Sequence, residues 1–88
     1  MIYIFNLIYK KKMSVFRHYK GNYYKLLHVA THTETMNRMV VYEQLYTSEY
    51  PKGHVWVRPY DMFYEDVIYN NKIVKRFEMV TSKEAVFE

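Results

Sequence analysis

The segment His54-Val55-Trp56-Val57-Arg58 sends its side chains alternately to two sides, and no other feature constrains the fold of this chain more. A period of two is that of a β-strand. Val55 and Val57 are expected to fill the interior, with His54, Trp56 and Arg58 on the other face. Pro59 is expected to end the strand, since it has no N–H to give to a ladder. An isolated strand is not stable in water, so partners must come from the remaining sequence. The 3.6-residue period of a helical bundle is absent.

Candidate partners follow from apolar runs bounded by turn formers. Residues 15–19 predict a first strand that ends in the turn Lys20-Gly21-Asn22, and residues 23–31 predict a second. The polar stretch His32-Thr33-Glu34-Thr35-Met36-Asn37 is then a hairpin loop, and residues 38–46 make a central strand. Ser48, Pro51 and Gly53 mark a longer loop. Residues 60–66 predict one helical or 3₁₀ turn, with Met62 and Phe63 against the core. Residues 67–69 and 73–77 flank Asn70-Asn71, a pair that tolerates the positive φ of a tight hairpin.

Eleven Tyr, five Phe and one Trp favour strands, because flat half-polar rings suit a pleated surface. The expected fold class is all-β: a small SH3-like barrel of about five antiparallel strands with one short helical or 3₁₀ turn. An OB-fold is the alternative. A chain of 88 residues holds one domain, with a core that is viable without staples but modest in stability. It has no cysteine, which excludes a disulfide framework and a thiolate metal site and fits a cytoplasmic location.

The termini divide the chain into residues 1–12, a domain over 13–78 and a tail over 79–88. Residues 1–12 read MIYIFNLIYKKK. The apolar run is well short of the ~20 residues of a membrane span, and its charge follows rather than precedes it, unlike a secretory signal. Two readings remain: an edge strand or surface anchor, and a mis-assigned start with Met13 as the natural first residue. The second is preferred, and the intact mass of the natively expressed protein decides it. The net charge of +4 owes three units to Lys10, Lys11 and Lys12. Beyond them, 10 basic residues stand against 9 acidic ones, a balance that disfavours a general nucleic-acid binder.

The blocks Phe16-Arg17-His18-Tyr19-Lys20-Gly21, His32-Thr33-Glu34-Thr35, Val40-Val41-Tyr42 and Trp56-Val57-Arg58-Pro59 occur in that order. With Met62-Phe63-Tyr64-Glu65 and Arg76-Phe77, they resemble domain of unknown function family 1653, over about residues 15–78. The resemblance implies an SH3-like barrel and carries no activity with it. Three features depart from the family pattern: His28 where Gly is usual, Asn37 where an acid is common, and the 1–12 extension.

Two clusters are candidate sites. Trp56 and Arg58 share a strand face about 7 Å apart, where an indole can stack a planar ring and a guanidinium can hold its phosphate or carboxylate. Tyr42 and Tyr46 are expected on a neighbouring strand, with His32 approaching from the loop tip. The plain alternative is that Trp56 closes a small second core and Arg58 pairs with Glu34, Glu43 or Glu65. The His32, Thr33, Glu34 and Thr35 loop offers an imidazole, two hydroxyls and a carboxylate, which either meet a ligand or satisfy the loop's own backbone. His28 and His32 would sit about 13 Å apart on a strand, too far to share a metal. No metal or cofactor is implied.

The expected function is a non-enzymatic binding module for a nucleotide-like small molecule, nucleic acid or peptide, through His32, Thr33, Glu34, Thr35, Tyr42, Trp56 and Arg58. One alternative is a structural or regulatory protein-interaction subunit that forms homo-oligomers. Another is a small hydrolase with Glu34 and His32 as acid and base.

Overall fold

The computed structural model describes residues 14–80, so every expectation about residues 1–13 and 81–88 lies outside the described residues. The chain order is β1 (Val15–His18), β2 (Tyr23–Thr31), β3 (Arg38–Gln44), β4 (Val55–Pro59), α1 (Tyr60–Phe63), β5 (Asp66–Tyr69), β6 (Lys72–Lys75) and β7 (Phe77–Met79). Five strands form one antiparallel sheet in the order β4-β3-β2-β1-β7, and β5 and β6 form a separate hairpin. The all-β class is therefore as expected. The strand number is not: among the described residues there are seven strands rather than about five.

Turn chemistry fixes the connections. Gly21 at φ 114° closes the β1–β2 turn, and Asn70 and Asn71, at 53° and 63°, both adopt the left-handed backbone that joins β5 to β6. The expected 73–77 strand is split at Arg76. Its N–H donates to the Glu65 carbonyl (2.9 Å), its carbonyl accepts from Tyr19 N–H (3.0 Å), and its guanidinium pairs with the Glu65 carboxylate. Phe77 thereby leaves the hairpin and joins the main sheet beside β1, opposite His18. β2 carries a bulge between Leu26 and His28. The bulge is built without positive φ at His28, which is why a side chain is accommodated there.

The core lies on the concave face of the sheet and is largely aromatic. Phe16, Phe63, Phe77, Tyr42 and Val40 are buried together, and Phe63 stacks on Phe77 at 4.1 Å between ring centres. α1 buries Phe63 in it and packs Tyr60 against its edge. Met62, expected against the core, is exposed, because a single turn can direct one side chain inward and its neighbour leaves on the other side. Pro59 ends β4 and supplies the fixed φ that starts α1, a position open to proline because β4 is an edge strand.

The facing of β4 is the reverse of the expectation. Val55 and Val57 are 51% and 60% exposed, whereas Trp56 and Arg58 are half-buried. The register explains it: Trp56 lies opposite Tyr42 and Arg58 opposite Val40, and cross-strand partners share a face. Tyr42 and Val40 line the core, so Trp56 and Arg58 face inward with them.

Candidate functional site

Above the aromatic core the concave face opens into a cavity of about 480 Å³. β1 supplies His18, β2 Tyr24, and β3 Tyr42 and Gln44; β4 supplies Trp56 and Arg58, and β7 supplies Phe77. The loop before β4 adds Tyr46, Ser48, Glu49 and Tyr50. The volume is that of a small-molecule site, and the lining combines apolar rings with a few polar groups, as such sites do.

One buried amide organises the outer end. Gln44 is 1% exposed. Its Oε1 accepts from the Trp56 indole N–H at 2.9 Å, while its Nε2 donates toward the carbonyls of Tyr46 and Tyr50, both at 3.0 Å. Indole and loop are thus held by the two ends of the same group, and an amide is suited to this because it both donates and accepts. Tyr50 and His54 pack edge-on to the indole, at 5.0 and 4.6 Å between ring centres. The hydroxyls of Tyr24 and Tyr46 are hydrogen-bonded to each other, which, after burial, raises the Tyr24 phenol above its ordinary pKa.

The inner end is built around Phe77. His18, Tyr24 and Tyr42 each set a ring edge against it, at 4.9 to 5.4 Å, and the Arg58 guanidinium stands 5.7 Å from its centre. Arg58 Nε–H donates to the Tyr42 hydroxyl oxygen at 3.2 Å. No carboxylate among the described residues lies within ion-pairing range of Arg58; Glu65, one of its expected partners, pairs with Arg76 instead. His18 is lowered to a pKa of about 4 by burial first, then by Arg58, Arg76 and Lys20. It is neutral at pH 7, and Arg58 is the permanent cation lining the cavity.

Of the residues expected at the site, Tyr42, Trp56 and Arg58 converge on this cavity. His32, Thr33, Glu34 and Thr35 do not line it. Their groups are engaged in the turn: His32 Nδ1 accepts from the N–H groups of Glu34 and Thr35, and Thr33 Oγ1 donates to Glu34 Oε2 at 2.7 Å. The loop joins β2 to β3 at Arg38, and Tyr42 is four strand residues further along, a span of about 13 Å. Tyr46, expected beside Tyr42, also lines the cavity, from the loop rather than from β3. His18, Tyr24, Gln44, Ser48, Glu49, Tyr50 and Phe77 line it without any such expectation. Tyr24 belongs to Tyr-rich strand sequence, a usable signal; for a buried Gln no sequence signal exists.

Fold and site together define a small, mainly β domain with a ligand-sized aromatic cavity. Within that class, the chain belongs to the family described as protein of unknown function (DUF1653), whose model matches residues 14–79. It is similar to a DUF1653 protein from Bordetella bronchiseptica of known crystal structure, with 32% identity and a TM-score of 0.70, over 78% of this chain and 86% of that one. No curated protein matches the sequence. No helix among the described residues is long and apolar enough to cross a membrane.

Proposed function

We propose that this chain is a binding module on an SH3-like scaffold, taking a small, planar, nucleotide-like ligand in the concave cavity. The observation that carries this is Arg58, which has no carboxylate partner among the described residues, at a cavity of about 480 Å³ walled by Tyr24, Tyr42, Tyr46, Tyr50 and Trp56. A half-buried cation without a carboxylate loses part of its hydration and gains by meeting an anion, and rings fixed by hydrogen bonds offer flat faces at little entropic cost. Binding is favoured over hydrolysis because the expected acid and base are engaged within the loop: His32 Nδ1 accepts from the N–H groups of Glu34 and Thr35, and the Glu34 carboxylate accepts from the Thr33 hydroxyl. A cytoplasmic location belongs to the same proposal, since nucleotide-like molecules are abundant there.

Trp56 is the sole tryptophan of the sequence and lines the cavity, so its fluorescence reports occupancy directly. Titration with the ribonucleosides and their 5′-monophosphates should quench or shift that emission saturably for at least one base. A Trp56→Phe protein followed by calorimetry should bind the same compound several-fold more weakly. If every nucleoside and nucleotide leaves the emission unchanged to millimolar concentration, the proposal fails.

A further inference from the structure

The hydrogen bonds at the inner end settle where its protons lie. The backbone N–H of Lys20 donates to His18 Nδ1 at 3.1 Å, so the proton of the neutral ring is on Nε2. The Tyr42 oxygen accepts from Arg58 Nε, which leaves its own O–H to donate. Arg58 keeps the N–H groups of both terminal nitrogens. Three side chains from three strands of the sheet, β1, β3 and β4, therefore present donors around one ring, Phe77, and no carboxylate among the described residues joins them on this side. Glu49, the acidic residue of the cavity lining, belongs to the loop at the outer end.

We infer that the inner end of the cavity is a subsite for a single phosphoryl group, held by Arg58, His18 Nε2–H and the Tyr42 hydroxyl. A tetrahedral group with three terminal oxygens suits donors that arrive from three directions; a planar carboxylate has only two oxygens to offer. A strongly hydrated cation would meet donors only. The inference deepens the proposed function: it names the anionic part of the ligand, whereas the walls at Trp56, Tyr46 and Tyr50 take the planar part.

The phosphoryl group also couples binding to a proton. The charges that face His18 are Arg58 from β4, Arg76 from the segment before β7 and Lys20 from the turn after β1, and Tyr24, Tyr19 and Phe77 enclose the ring. All three charges are positive and disfavour a second proton on the imidazole. A phosphate dianion beside them reverses the balance, so the imidazole takes up a proton more readily in the complex.

The test compares adenosine, adenosine 5′-monophosphate and inorganic phosphate on the full chain. Trp56 emission gives affinity, and the His18 Cε1–H resonance, followed from pH 3.5 to 8, gives the histidine midpoint. The monophosphate is expected to bind at least about tenfold more tightly than the nucleoside, the difference of one charge-assisted contact. It should also raise the His18 midpoint from about 4 toward 6.5. Arg58→Lys and Arg58→Met should both erase the preference for the monophosphate. Inorganic phosphate alone, at high concentration, should move the His18 resonance without changing Trp56 emission. If nucleoside and monophosphate bind equally and the histidine midpoint stays where it was, the phosphoryl subsite is overturned while the proposed function stands. If none of the ribonucleosides or their 5′-monophosphates binds but phosphate still shifts His18, the subsite stands and the planar-ligand reading falls. If phosphate leaves His18 untouched and none of them binds, both fall.

Discussion

Single residues set two measurable properties. Met36 holds φ at 63° in the β2–β3 loop, a left-handed backbone in which its Cβ is strained, and its side chain is 71% exposed with nothing to offset that strain. Met36→Gly should therefore stabilise the protein by about 0.5–1 kcal/mol, read from the urea midpoint. His18 acts through pH. Its folded-state pKa of about 4 lies below the ordinary 6.5, so the unfolded chain takes up the proton first on acidification. Stability is then full above pH 6.5 and declines as pH falls from 6.5 to about 4. Melting temperatures of the parent and His18→Gln at pH 7 and pH 5 check this: the parent should lose more between the two.

At the level of elements, β4 and the loop before it form one unit with Gln44 as its fastening. Gln44→Met keeps the volume and leaves the indole N–H and the loop carbonyls without their partner. The expected cost is about 2–3 kcal/mol in denaturant unfolding, accompanied by a red-shifted Trp56 emission as the loop loosens. This is also where sequence reading reached its limit. Alternation in 54–58 established a strand, yet a period of two says that faces differ, not which one is inside. Hydrophobicity alone argues for the valines inward. The interior is instead an aromatic layer that continues into Trp56 and the Arg58 stem, and the valines are left outside. Local turn chemistry was far more legible: the bounds of β2 and the paired left-handed Asn70-Asn71 follow from neighbouring residues alone. β7 did not, because three residues pair with β1 only once Arg76 has been tied to Glu65 and Tyr19.

For the whole molecule, the decisive residue is Phe77. It comes from the last described strand, and it touches Phe63 of α1, Tyr42 of β3, Tyr24 of β2 and His18 of β1. Phe77→Ala should cost about 3–5 kcal/mol and bring so small a domain close to its unfolding threshold, with loss of a cooperative thermal transition as the readout. The candidate site was legible from sequence only where its residues lie on adjacent strands, as Tyr42, Trp56 and Arg58 do. The remainder is assembled by curvature, which brings β1 and β7 round to meet β4 and which no local pattern encodes.

That curvature has a mechanical consequence. β4 and β7 end opposite margins of the sheet and share no backbone ladder, yet Arg58 of one stands over Phe77 of the other. The gap between them is where the molecule would first gape when it breathes. An occupant gripping both margins works as a clasp, so binding at this place should slow spontaneous opening and delay protease attack on β7.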